Sequence, residues 1–132
     1  MKSLEERDRA LIEAASAAIR RNYDVENFHH TVGAAVRCGS GAVYTGVNVY
    51  SIHGACAEQV AIGSAITNGE RVLEAIAAVR GKDGSELLPP CGNCRQLLAD
   101  YAPECEVILP VKGVAQKVPA KDLLPFAYHA EA

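Results

Sequence analysis

The chain has 132 residues, of which 49% are hydrophobic, and its formal net charge is −3. This length predicts one domain, residues 1–132, which can bury a sizeable core without needing a metal or disulfides to fold. The absence of a basic run argues against a nucleic acid polymer as partner, because polynucleotide binding depends on Lys and Arg at the phosphates. No apolar stretch reaches the length of a membrane span. A small-molecule partner is the easier fit.

Five cysteines occur at positions 38, 56, 91, 94 and 105. Their odd number predicts reduced thiols, as in the cytoplasm. The first residues are charged and do not form the apolar core of a secretory signal. We therefore expect a soluble cytoplasmic protein.

The first half of the chain predicts one helix and a hairpin. Ser3 and Glu6 match the capping-box pattern, and an apolar face behind them predicts a helix over residues 4–21. After a loop, residues 31–38 and 42–48 are expected to form two strands around the turn at residues 39–41.

The second half predicts alternating helices and strands. We expect helices at 56–67 and 92–100, strands at 106–109 and 114–118, and a short helix at 120–124. Residues 73–79 are ambiguous, because their alanines favour a helix whereas their length and the following glycine turn favour a buried strand. With 73–79 as a strand, the order is α-β-β-α-β-α-β-β. This order predicts an α/β fold in which a sheet carries helices on both faces.

The most informative residues are three cysteines and one glutamate. Cys91 and Cys94 are spaced to bind one metal at the start of a helix, and Cys56 begins another helix with Glu58 two positions later. Three protein ligands leave the fourth position of a zinc ion open to water, and a nearby carboxylate can move the protons of that water. The pattern predicts one catalytic Zn²⁺ bound by Cys56, Cys91 and Cys94. Arg95 and the two helix N-termini would balance the excess negative charge.

Two other interpretations of these cysteines remain open. A structural zinc site would make the protein a binding module, although no second C-x-x-C pair is present. A redox dithiol would use Cys91 and Cys94 without a metal. Neither interpretation requires the Cys-x-Glu segment at position 56.

The segments Cys56-Ala57-Glu58 and Pro90-Cys91-Gly92-Asn93-Cys94-Arg95 resemble those of the small three-cysteine cytidine deaminases. The similarity covers nearly the whole chain. It implies a three-layer α-β-α fold with a mixed five-stranded sheet and a homotetramer with one Zn²⁺ per subunit. It also implies that Glu58 carries protons from water to N3 of cytosine and then to the amino group, which leaves as ammonia.

The resemblance also implies the substrate contacts and leaves the substrate open. Asn48 would bind the sugar or the base edge, Ala57 would be a substrate-binding residue, and an aromatic residue would stack on the ring of the base. The stacking candidates are Phe28, His30 and Tyr128. Tyr50 stands where cytidine deaminases have a glutamate for the ribose hydroxyls, and residues 44–50 are more similar to blasticidin S deaminases.

The predicted activity is therefore deamination of cytidine or deoxycytidine in pyrimidine salvage. The alternative is deamination of a blasticidin S-type aminoacylnucleoside antibiotic or of another small nucleoside. Gln59 replaces an arginine that the family places after the glutamate, which gives Arg95 more of the charge balance.

Overall fold

The computed structural model describes residues 1–130. Its helices are α1 (Glu6–Asn22), α2 (Ala57–Thr67), α3 (Gly92–Tyr101) and a 3₁₀ helix at Ala120–Leu123. Its strands are β1 (Val32–Cys38), β2 (Val43–Val47), β3 (Leu73–Arg80), β4 (Glu86–Leu88), β5 (Glu106–Val111) and β6 (Val114–Pro119). The ambiguous segment at 73–79 is thus a strand, and the predicted helices and strands lie close to their expected positions.

The strands form one mixed sheet in the order β2-β1-β3-β5-β6. Only β3 and β5 pair in parallel, and the other neighbours are antiparallel. These five strands are the ones that the sequence predicts. The sixth, β4, was missed because three residues are too few to show a strand period, and it pairs with β3 at Ala78–Arg80 beyond the end of β5.

Helices cover both faces of the sheet, so the predicted three-layer architecture is confirmed. Leu11, Ala15 and Ile19 of α1 pack on one face. Ala61 of α2 and Leu98 of α3 pack on the other face. The strands carry mainly small and branched apolar residues on both faces, as expected for a sheet covered on both sides. Within residues 1–130, the helices are too short or too polar to cross a bilayer.

The start of α1 differs from its prediction. The N-cap is Glu5, and the Asp8 carboxylate accepts the backbone N–H of Glu5 at 2.8 Å, so the capping box is Glu5–Asp8 rather than Ser3–Glu6. Asp8 is fully buried and forms ion pairs with Arg37 at 3.1 Å and Lys117 at 2.9 Å. These tertiary contacts, which the local pattern does not contain, decide where the helix begins.

Gly46 of β2 allows α2 to pack close to the sheet. A Cβ atom at this position would lie 2.6 Å from the backbone nitrogen of Ala61 and 2.8 Å from Cβ of Val60. Only glycine fits this contact without moving the helix. The close approach sets the height of α2, and therefore of Cys56 and Glu58 at its start, above the sheet.

Candidate metal centre and pocket

Three cysteines from two helix starts meet in space. Cys56 is the N-cap of α2, Cys91 is the N-cap of α3, and Cys94 lies in the first turn of α3. The Cys56 and Cys91 sulfurs are 3.5 Å apart, the Cys91 and Cys94 sulfurs are 3.7 Å apart, and all three lie within 4.8 Å of one another. The α2–α3 arrangement therefore joins ligands that are 35 residues apart in the chain.

These separations fit a single zinc ion. Sulfurs at about 2.3 Å from a tetrahedral zinc lie about 3.8 Å from one another. The Cys56–Cys91 and Cys91–Cys94 separations, 3.5 and 3.7 Å, are close to that value. They far exceed the length of about 2.05 Å of a disulfide bond, and the cysteines are free. The sulfur geometry thus agrees with the zinc site predicted from the sequence.

The three thiols have different electrostatic surroundings. Burial opposes ionisation of Cys91, but the backbone N–H groups of Cys94 and Asn93 and the neighbouring thiols outweigh it and lower the pKa of Cys91. Burial is the main cause that raises the pKa of Cys56. Burial, followed by the charge of Glu58, raises the pKa of Cys94 strongly. A fully buried thiol of this kind becomes a thiolate ligand when a bound cation supplies the compensating charge.

Glu58 lies in the first turn of α2 and is only 7% exposed. Burial raises the pKa of its carboxyl group above the ordinary value. A carboxyl group with a raised pKa holds and releases a proton closer to neutral pH. The surroundings of Glu58 are thus those expected of a proton carrier.

A pocket of about 390 Å³ opens beside the thiols. Cys56, Cys91 and Glu58 line it, together with Tyr50, Ser51 and His53 of an exposed loop. An antiparallel bridge between Val49 and Ala55 closes this loop. The volume lies at the lower end of the range for sites that bind small molecules.

The pocket contains some of the predicted substrate residues. Asn48, Tyr50 and Ala57 line it. The Asn48 carboxamide oxygen accepts the backbone N–H groups of Thr31 and Val32 at 2.8 and 3.0 Å. Asn48 therefore ties the end of β2 to the start of β1, in addition to the substrate contact that remains a prediction.

The three predicted stacking residues lie outside the pocket lining of this chain. His30 contacts the backbone carbonyl oxygen of Asn48 through Nδ1 at 2.7 Å. Phe28 makes an edge contact with Tyr23, with ring centroids 6.3 Å apart. Tyr128 is 76% exposed. Their roles toward a substrate stay predictions.

Arg95 contacts two backbone carbonyl groups. Its Nε donates to Pro90 at 2.8 Å and its Nη1 donates to Leu123 at 3.2 Å. Arg95 thus supports the segment that leads into Cys91, and its part in charge balance stays a prediction.

Sequence reasoning missed two contacts near the site, one made by Gln59 and one made by His29. The Gln59 side chain accepts the backbone N–H of Cys56 at 2.8 Å and completes a capping box around this cysteine. The spacing C-x-x-Q was the available signal, because a glutamine three residues after the N-cap is typical of that motif. The second missed contact is made by His29, whose ring stacks on Tyr50. No local pattern indicates that contact.

Comparison with known proteins identifies relatives along nearly the whole chain. Residues 5–109 match the family described as "Cytidine and deoxycytidylate deaminase zinc-binding region". The chain is 36% identical to the blasticidin-S deaminase of Bacillus cereus, over 96% of this chain and 95% of that protein. It is 34% identical to the cytidine deaminase of Halalkalibacterium halodurans, over 94% of this chain and 96% of that protein.

Solved structures agree with these matches. The crystal structure of the cytidine deaminase from Burkholderia pseudomallei has a TM-score of 0.76 and 36% identity, with 95% of this chain and all of that chain covered. The crystal structure of the cytidine deaminase from Mycobacterium tuberculosis has a TM-score of 0.78 and 30% identity, with 96% of this chain and all of that chain covered. Because the family match includes all three thiols and Glu58, and the relatives align over nearly their full length, this chain belongs to the zinc-binding cytidine and deoxycytidylate deaminase family.

Proposed function

We propose that this protein removes the amino group from the cytosine base of a small free nucleoside by hydrolysis and releases ammonia. The observation that carries the proposal is the pocket whose lining joins the buried carboxyl group of Glu58 with Cys56 and Cys91 of the three-thiol cluster. Residues 1–132 would form one deaminase domain, since the described strands share one sheet.

The residues of the pocket divide the chemistry. Cys56, Cys91 and Cys94 would hold the zinc ion, which would lower the pKa of a bound water. Glu58 would move a proton to N3 of the base and then to the leaving amino group. One carboxyl group can act as base and acid in turn when its pKa lies near the operating pH, and burial shifts the pKa of Glu58 in that direction.

The test is Glu58→Gln, which keeps the shape of the side chain and removes its proton-carrying function. We expect zinc content to stay at the wild-type level and turnover to fall by about 100-fold or more. Glu26→Gln, an exposed site, is the matched control and should keep both. Wild-type turnover in a zinc-loaded Glu58→Gln variant would exclude Glu58 as the proton carrier.

Cytidine and deoxycytidine are the leading substrates, and a blasticidin S-type antibiotic is the second candidate. The second is favoured by Tyr50 in the pocket lining and by the similarity to the Bacillus cereus protein. Ammonia release from cytidine, deoxycytidine and blasticidin S, measured side by side, separates the two. Preference for cytidine or deoxycytidine would support a role in pyrimidine salvage.

The alternative of a structural zinc module predicts four protein ligands. The cluster contains three ligand atoms, and no fourth joins it within residues 1–130. X-ray absorption of the zinc-loaded protein should therefore show three sulfur neighbours and one lighter atom. Four sulfur neighbours would favour the structural module instead.

We also propose a homotetramer in the cytoplasm. Phe126, Ile52 and Tyr128 are 103%, 97% and 76% exposed, and apolar side chains in such positions are suited to contacts between subunits. A neighbouring subunit could then bring an aromatic residue to the pocket. The free cysteines suit a reducing compartment. Sedimentation velocity tests the assembly, and a monomeric mass would contradict it.

A further inference from the structure

The rings of His29 and Tyr50 form a parallel stack beside the pocket. Their centroids are 4.7 Å apart and their planes differ by 1°. Tyr50 lines the pocket, whereas His29 belongs to the loop between α1 and β1. Two separate loops therefore meet through these rings.

The backbone of His29 is held by hydrogen bonds at both its N–H and its carbonyl group. Its N–H donates to the Asp24 carboxylate at 3.2 Å, and its carbonyl oxygen accepts from the Asn48 side chain at 3.3 Å. Asp24 also accepts the N–H groups of Glu26 and Asn27, each at 3.1 Å, which fixes the loop. The position of the His29 ring is thus set by the loop as well as by Tyr50.

The proposed reaction directs the sugar of a bound nucleoside away from Glu58. In cytosine, the amino-bearing carbon C4 and the sugar-bearing nitrogen N1 are on opposite sides of the ring. With C4 directed toward Glu58 and the thiols, the sugar points toward solvent. Glu58 is 7% exposed and Tyr50 is 69% exposed in the same pocket lining, which makes Tyr50 the aromatic residue suited to the sugar side.

The pocket offers no carboxylate besides Glu58. Among the described residues that line it, Glu58 is the one acidic side chain, and it is buried. A phenol donates one hydrogen bond and is a weaker acceptor than a carboxylate. The lining therefore offers no second carboxylate to accept the two donors of a vicinal diol, so we expect the diol to add little to binding, whereas the Tyr50 hydroxyl can donate to an acceptor atom of the sugar.

We infer that His29 is a positioning residue that holds Tyr50 as the sugar-side wall of the pocket, and that this wall selects cytosine nucleosides by sugar acceptor atoms and ring shape rather than by a 2′,3′-diol. The inference rests on the proposed function, because it uses the same pocket. His29 acts through Tyr50 and has no part in the proton transfers.

The test compares His29→Ala, His29→Phe and Asn27→Ala in the zinc-loaded protein. Steady-state ammonia release and calorimetric binding are measured with cytidine, 2′,3′-dideoxycytidine and blasticidin S. Loss of one aromatic stack should raise the KM and the Kd of His29→Ala about two- to tenfold for the best-bound nucleoside, with kcat within about twofold of wild type. His29→Phe should restore both constants, and Asn27→Ala, in the same loop, should match wild type.

The results separate the two proposals. Unchanged KM and Kd in His29→Ala, or no rescue by His29→Phe, overturns the positioning role. Wild-type binding of cytidine that is more than about tenfold tighter than that of 2′,3′-dideoxycytidine overturns the sugar preference. If nucleosides bind with the predicted pattern but the wild type releases no ammonia, the proposed deamination fails and the role of His29 stands.

Discussion

The contact at Gly46 makes a quantitative prediction about the site. In Gly46→Ala, the new Cβ atom would lie 2.6 Å from the backbone nitrogen of Ala61, whereas ordinary contacts begin at 3.4 Å. A backbone atom cannot rotate away, so α2 must move outward by about 0.8 Å. Overpacking of this kind destabilises a protein by about 1–3 kcal/mol.

The displacement also affects the metal centre. Cys56 and Glu58 move with α2, whereas Cys91 and Cys94 belong to α3. We expect weaker zinc retention against a chelator and a fall in turnover of about 100-fold, since a 1 Å misplacement can cost that much.

Gly63→Ala is the matched control in the same helix. Gly63 is exposed, and a Cβ atom there meets nothing within 4 Å. Alanine should therefore stabilise α2 by about 0.5–1 kcal/mol and leave zinc and turnover unchanged. Urea unfolding at one fixed protein concentration, with zinc content and ammonia release, checks both variants. If Gly46→Ala is as stable and active as wild type, the helix–sheet contact does not set the position of the site.

Two further variants test the buried charges and the metal ligands. Asp8→Asn removes the buried carboxylate that Arg37 and Lys117 share, although Arg37 keeps Glu74 and Lys117 keeps Glu5 as ion-pair partners, and should lower the free energy of unfolding by about 1–3 kcal/mol in urea titrations. Burial alone would raise the pKa of Asp8, but the Glu5 N–H, Lys117 and Arg37 outweigh it and lower that pKa. Wild-type stability from Asp8 is therefore present above the unfolded-state value of about 3.9 and is lost as the pH falls through the lower folded-state pKa, a loss that Asp8→Asn should not show. Cys56→Ser should abolish tight zinc binding in a metal assay, whereas Cys38→Ser, a buried strand position outside the thiol cluster, should keep it; equal zinc content in both would refute the ligand assignment.

Much of the site was accessible from the sequence because its chemistry is encoded locally. The C-x-x-C spacing places two thiols on one helix turn, and Cys-x-Glu places a thiol and a carboxyl group at another helix start. Substrate contacts depend on loops that meet only after folding. The substrate contacts were therefore only partly predictable: Asn48 and Tyr50 line the pocket, whereas Phe28 and Tyr128 lie outside its lining.

The sequence alone indicated most element types, a sheet with helices on both sides and the three cysteines that can hold zinc, because periodicity, capping and ligand spacing act over a few residues. Tertiary structure decided the distances between groups far apart in the chain. It set the N-cap of α1 at Glu5 through the burial of Asp8, paired β4 with β3, and set the Cys56 and Cys91 sulfurs 3.5 Å apart. It also stacked His29 on Tyr50, since side chains on separate loops come together only through the packing of the elements that carry them.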